Sequence, residues 1–392
     1  MKKWIKNINE KNFLNKNVTA AILAFTLLFS PALPNILLIP LVLLILFGEK
    51  DKRFIQSPFF VLFAGAVLVL ILTAVVQGTF INQISKFTRH ILFLILFIVF
   101  YQVTKKRQVE NAYLIGAITV LVISSILISI EKINNSEFML SGGEIVNDIL
   151  LLERPYFGIA LVIATFITLK RAAKNPKYYL LALLFTAFNI YISARLAIVL
   201  CIFLFFIYAI KNSPFNFYKS LGIGLGLVFI LGFSLSLSDN FMKRMHLDKD
   251  YEKLVIRVKA YEPRFIIWPC AHEIIKKNNY WGIASFKESE AQLVNCYASK
   301  ISKEDKRNYY TSQKFNTHNQ FLDYFLMGGW PTATLLLLSF FIPLFMRKTS
   351  FELKMILLIF LGFFLVENVI HRQLGRYLFA IFAALYSKPK NE

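Results

Sequence analysis

His318 stands in the run KFNTHNQFLDYFLMGGWP, where Thr317 and Gln320 are spaced as a capping box. That spacing predicts a helix whose first residue is His318 and which stops at Gly328-Gly329 and Pro331. The positive end of a helix dipole favours a neutral imidazole beside an anion, and a neutral imidazole accepts a proton. Asn319 follows directly. Arg264 comes after Pro263 and precedes Trp268 by one helical turn, so these two share a face. Arg195 lies in IYISARLAIVL, between two apolar runs with almost no loop. Pinned there, it cannot snorkel far and must point into a polar pocket or at head groups. Guanidinium groups grip phosphate bidentately. The chemistry these residue types can do is phosphate binding next to a proton acceptor.

Other suggestive patterns carry less. His272-Glu273 opens HEIIK, with a lysine where a zinc protease needs its second histidine, so no metal site is expected there. Asp248-Lys249-Asp250 has the form of a metal-dependent sugar transferase's acidic pair but reads as a solvated loop. The run GIGLG lies within an apolar stretch, which argues against a dinucleotide loop. Gly222 and Gly226 there suit close helix packing. The three cysteines form no metal motif, although Cys270 and Cys296 share one polar segment and a disulfide between them is open.

The elements that must position these residues follow from composition. The chain has 392 residues, is 57% hydrophobic and has a mean hydropathy of +0.57, which excludes a soluble globule. Its net charge of +21 does not indicate nucleic acid, because the basic residues cluster in short loops between apolar runs, where they set membrane orientation. The runs fall at residues 18–30, 35–47, 58–76, 90–103, 112–130, 156–169, 178–193, 196–210, 220–238, 332–346, 355–366 and 374–385. The expectation is an all-α polytopic membrane protein of about 12 transmembrane helices with one long loop at 239–317. Residues 1–238 would hold the first nine spans, and 318–392 a helix at the membrane edge and the last three. Lys and Arg on one set of connecting segments far outnumber those in the short loops of the other set, which puts both termini in the cytoplasm. The basic N-terminal arm and the first run lack a cleavage pattern, so no cleaved signal is expected.

Charged residues are almost absent from mid-depth and gather at the outer ends of the runs: Lys86, Arg89, Glu153, Arg154, Arg195, Glu367, His371, Arg372 and Arg376. A pump or ion-coupled transporter needs charges near the midplane, so a polysaccharide or lipid transporter is the weaker reading.

Arg264, Trp268 and Ala271, then Trp281-Gly282, then THNQFLDYFLMGG, together with the SARLA turn at Arg195, resemble the signature elements of the O-antigen ligase and O-antigen polymerase superfamily. One departure is Ala284, where relatives often carry the second glycine of a Gly-x-Gly. The resemblance implies a GT-C-like bundle whose long periplasmic loop carries short helices. It implies transfer of a glycan from a polyprenyl-pyrophosphate carrier to an acceptor hydroxyl, in the bacterial inner membrane and without metal or other cofactor. Arg195 and Arg264 would hold the pyrophosphate and His318 would engage the hydroxyl. Trp268, Asn319, Arg154, Arg372 and Arg376 are candidates for support. The acceptor is lipid A-core for a ligase, a second lipid-linked repeat for a polymerase, or a protein hydroxyl for an O-oligosaccharyltransferase.

Overall fold

The computed structural model describes residues 15–48, 50–135, 144–212 and 262–388, and these are helical with no strand among them. In chain order the helices are α1 (Lys16–Thr26), α2 (Ala32–Leu46), α3 (Pro58–Val76), α4 (Ile84–Tyr101), α5 (Lys106–Asn134), α6 (Glu144–Ile149), α7 (Arg154–Ala172), α8 (Lys177–Tyr191) and α9 (Arg195–Asn212). After residue 261 follow α10 (Arg264–Lys277), α11 (Phe286–Lys300), α12 (Glu304–Gln313), α13 (Gln320–Phe345), α14 (Phe351–Phe364) and α15 (Gln373–Ser387). Each expected apolar run inside the described residues coincides with one of these helices. The run at 220–238 with its glycines, and Asp248-Lys249-Asp250, lie outside the described residues.

Among the described residues, five segments are long and apolar enough to cross a membrane: Pro58–Val76, Ile81–Tyr101, Lys106–Asn134, Arg154–Ala172 and Gln320–Phe345. Their outward surfaces stay apolar. On α5 the exposed Ile115, Val122, Ile126, Ile130 and Ile133 recur at helical spacing, as do Val61, Leu68, Leu72 and Val75 on α3. Such stripes are unfavourable in water and natural against lipid tails, so this is a membrane protein.

The chain forms two compact units, Met1–Glu49 with Val103–Leu254, and Lys50–Gln102 with Val255–Glu392. In the first, α1 packs on α5 and α2, and α7 packs on α5, α8 and α9. Gly116 permits the first contact, since a Cβ there would stand 3.0 Å from the Phe25 carbonyl oxygen. Glu110 of α5 is buried and ion-paired with Lys170 and Arg171 of α7. In the second unit α3 lies along α13 and α4 along α15, around a core in which Phe59, Phe63, Phe93, Phe340 and Phe379 meet ring on ring. On this bundle sit α10, α11 and α12, which pack against one another and, through α10, against α13. Cys270 of α10 and Cys296 of α11 form a disulfide, which settles the pairing the sequence leaves open.

Candidate active site

Arg264 is the first residue of α10, directly after Pro263, whose fixed φ suits a helix start. Its guanidinium is ion-paired with Glu262 through Nη1, and Nη2 donates to the Val366 carbonyl at 2.7 Å. One turn on, Trp268 Nε1 donates to the Thr317 carbonyl at 3.1 Å, so α10 grips the peptide just ahead of His318. A second grip comes from α11, where the Tyr297 hydroxyl donates to the Phe315 carbonyl at 3.0 Å. Burial pushes the Tyr297 pKa well above the ordinary phenol value, which keeps the hydroxyl a donor.

The helix cap differs from the capping-box expectation. Asn319, not Thr317, caps α13: its Oδ1 accepts from the backbone N–H of Phe321 and Leu322, both at 3.0 Å. Thr317 instead donates its hydroxyl to the Asn319 carbonyl at 2.9 Å. His318 therefore precedes the helix and takes a left-handed φ of +43°. That conformation costs an L-residue roughly 1–2 kcal/mol. The surrounding bonds hold it, among them the His318 N–H to Asn316 Oδ1 at 3.0 Å and Asn319 Nδ2 to the Leu365 carbonyl at 3.1 Å. The imidazole Nδ1 stands 3.5 Å from Glu367 Oε2. The segment 365–367 thus receives Asn319, Arg264 and His318 in turn. Sequence reading recognised all three and missed the segment they share; Glu367 is visible in the sequence only as a carboxylate at the end of an apolar run.

Trp281-Gly282 and Gly328-Gly329 form one joint. α13 is interrupted at Gly329 (φ 72°, ψ −171°), which frees carbonyls from the helical ladder. The loop after α10 takes them up: Ile283 N–H donates to Leu326 at 2.9 Å, Ala284 N–H to Met327 at 2.8 Å, and Trp330 N–H donates back to Tyr280 at 2.9 Å. Gly282 has φ +83°, and a Cβ there would stand 2.5 Å from the Gly329 nitrogen. Ala284, the departure from the Gly-x-Gly pattern, adopts φ +53°, the region a glycine would enter freely.

Beside the His318 turn is a cavity of about 320 Å³. Lys86, Arg89 and His90 of α4, Phe286 of α11, Asp323 of α13 and Arg372 line it, and its wall includes Phe315–Thr317. His371 Nε2 stands 2.9 Å from Asp323 Oδ2, and Asn368 Nδ2 links Asp323 to the Thr317 hydroxyl at 3.5 and 3.2 Å. Arg376, a turn beyond Arg372 on α15, is buried, and its N–H donates to the Arg372 carbonyl at 3.1 Å.

Arg195 and Arg154 belong to the first unit. Arg195 opens α9 after a turn in which Ser193 has φ +53° and Ala194 N–H donates to Asn189 at 2.9 Å. Arg154 opens α7, its N–H held by Asn147 Oδ1 at 3.1 Å. Gly158 seats the turn against α7, since a Cβ there would stand 2.9 Å from Ala197 Cβ and 3.2 Å from Ala194 Cβ. Both arginines thus lie within about a turn of that contact. The HEIIK element has an ordinary surface role: Glu273 is paired with Lys300, which holds its carboxyl below the usual range.

No curated protein matches the chain. The sequence model of the O-antigen ligase family matches residues 179–337, a stretch that begins in α8 and ends in α13. It takes in Arg195, Arg264, Trp268, His318 and Asn319 together with both halves of the Gly282–Gly329 joint. That match makes residues 179–337 of this chain similar to the O-antigen ligase family.

Proposed function

We propose that this chain moves a glycan from a polyprenyl-pyrophosphate carrier to an acceptor hydroxyl, with lipid A-core as the acceptor. The observation that supports it best is the convergence of Arg264, His318 and Asn319 on residues 365–367, all three drawn from the stretch that matches the ligase family. With Nδ1 turned toward Glu367, Nε2 is the nitrogen that takes the acceptor proton, and the carboxylate is the counter-charge of the imidazolium so formed. The acceptor oxygen forms a bond to the anomeric carbon while the bond from that carbon to the phosphate oxygen breaks. The leaving polyprenyl pyrophosphate carries the negative charge away. Arg264 stabilises that charge with the hydrogens its two terminal nitrogens retain, or by exchanging Glu262 for phosphate. Guanidinium groups supply this stabilisation without a metal. Arg195 is proposed as a further phosphate ligand on the strength of the family resemblance. The disulfide between α10 and α11 supports a site on the oxidising, periplasmic face of the inner membrane.

The test is transfer by the purified chain in lipid, supplied with polyprenyl-pyrophosphate-linked glycan and either lipid A-core or a second lipid-linked repeat. Wild type should glycosylate lipid A-core; products on the repeat alone would make it a polymerase. His318→Gln, which orients a hydroxyl but cannot remove its proton, should lower the rate by about 10²–10⁴ while donor binding persists. A His318→Gln enzyme near the wild-type rate would remove His318 as the base. Transfer to no hydroxyl acceptor at all would sink the reading.

A further inference from the structure

The cavity beside the His318 turn is built for a negative charge, and the transfer reading does not use it. Of its two carboxylates, Glu290 is ion-paired with Lys314 at 3.3 Å and Asp323 stands 2.9 Å from His371 Nε2. Lys86 and Arg89 then leave the wall positive. Two further groups lack what an anion would provide. His90 is 1% exposed and lines the cavity, and its Nε2 has no hydrogen-bond partner among the described residues. Its Nδ1 is 2.7 Å from the Tyr324 hydroxyl. With the phenol donating to Nδ1, the proton sits on Nε2, which becomes an unused donor. Arg376, a turn beyond the cavity-lining Arg372, is 7% exposed, and its Nε and Nη1 likewise have no hydrogen-bond partner among the described residues. Buried donors without partners are costly and call for an acceptor. Phe286 adds an apolar face to the same cavity, stacked on the His90 ring at 6.3 Å. A cation-rich pocket with one aromatic wall, of a volume typical of small-molecule sites, suits a sugar ring bearing an acidic group better than a bare ion.

We propose that this cavity recognises an anionic sugar, carrying a carboxylate or a phosphate substituent, on the acceptor glycan. The assignment to the acceptor rests on the transfer reading, in which Arg264 serves the donor pyrophosphate on the segment 365–367. The cavity's wall is the peptide directly before His318, so a sugar seated there places its neighbouring hydroxyls next to the proposed base.

The experiment is equilibrium binding to the full chain in nanodiscs, which needs no turnover and so fails or succeeds apart from the transfer reading. The probes are methyl glucuronide, glucose 6-phosphate, neutral methyl glucoside and geranyl pyrophosphate. Wild type should bind the two anionic sugars at least tenfold more tightly than the neutral one. Arg89→Gln should erase that preference, and Lys86→Gln, at an exposed position that does not endanger folding, should reduce it. Arg264→Gln should keep the sugar preference and weaken geranyl pyrophosphate. Equal binding of neutral and anionic sugars, or an Arg89→Gln preference unchanged from wild type, would overturn the proposal. So would loss of geranyl pyrophosphate in Arg89→Gln with its retention in Arg264→Gln, since the cavity would then be the donor phosphate site.

Discussion

The carboxylate 3.5 Å from His318 Nδ1 comes from Glu367, a residue on the far side of two helices in the sequence. No local pattern ties it to the HN motif; only the packing of α13 against α14 brings the two together. Arg264 and Trp268 were legible from their spacing on one helix face, and His318 from its motif. Asp323 and His371 were legible only as an acid inside an apolar run and a charge at a run's end. The pairing adds a carboxylate to the electrostatic surroundings of His318, which stands just ahead of the N-terminal end of α13. Removing that charge while keeping the shape should separate orientation from bulk. Glu367→Gln should slow transfer about tenfold or more, a share of the roughly 10²–10⁴ that a positioned base supplies. Glu367→Asp should recover part of the loss. A rate in Glu367→Gln equal to that of wild type, measured with saturating donor and acceptor, would show that His318 works without its neighbour.

At the scale of elements, the sequence placed the helices well and the start of α13 less well. Thr317 and Asn319 are both competent caps within two residues of each other, and local preference does not separate them. Tertiary bonds do: Trp268 holds the Thr317 carbonyl and Leu365 receives the Asn319 amide, which leaves Asn319 Oδ1 to cap the helix. The Trp281-Gly282 and Gly328-Gly329 motifs stand far apart in the sequence, yet they are two sides of one contact. Gly282→Ala should split it. The left-handed φ alone costs roughly 1–2 kcal/mol, and the new Cβ would meet the Gly329 nitrogen at 2.5 Å, so the joint must open. A lower melting temperature together with lost transfer is the expected result. Ala284→Gly should be tolerated, because it relaxes a strained φ at the loss of one buried methyl. A Gly282→Ala protein that melts with wild type would mean that the α10–α13 loop does not depend on this contact.

Across the whole molecule, the apolar stripes on α3 and α5 demand lipid, whereas which face of the membrane each loop occupies is a matter of charge. Helix length and hydropathy were legible because both are local properties; α3 occupies the same residues as the run that predicts it. Orientation is not local. It depends on Lys and Arg summed over loops, and long segments are exempt from the rule, so the basic stretch before His318 says little by itself. The short segments decide. Lys50, Lys52 and Arg53 lie ahead of α3, Lys105, Lys106 and Arg107 after α4, and Lys170, Arg171, Lys174 and Lys177 at the junction of α7 and α8. All three belong on the cytoplasmic side if the bias holds. A disulfide between α10 and α11 then belongs on the opposite, oxidising side, an independent chemical indication of the same orientation. Reporter fusions placed after residues 50, 106 and 175 should therefore read cytoplasmic, and one inside α11 near residue 295 should read periplasmic. In intact cells Cys270 and Cys296 should resist thiol-reactive reagents until a reductant is added. A cytoplasmic signal at residue 295, with both thiols free, would put Arg264 and His318 on the face opposite the proposed donor and end the mechanism.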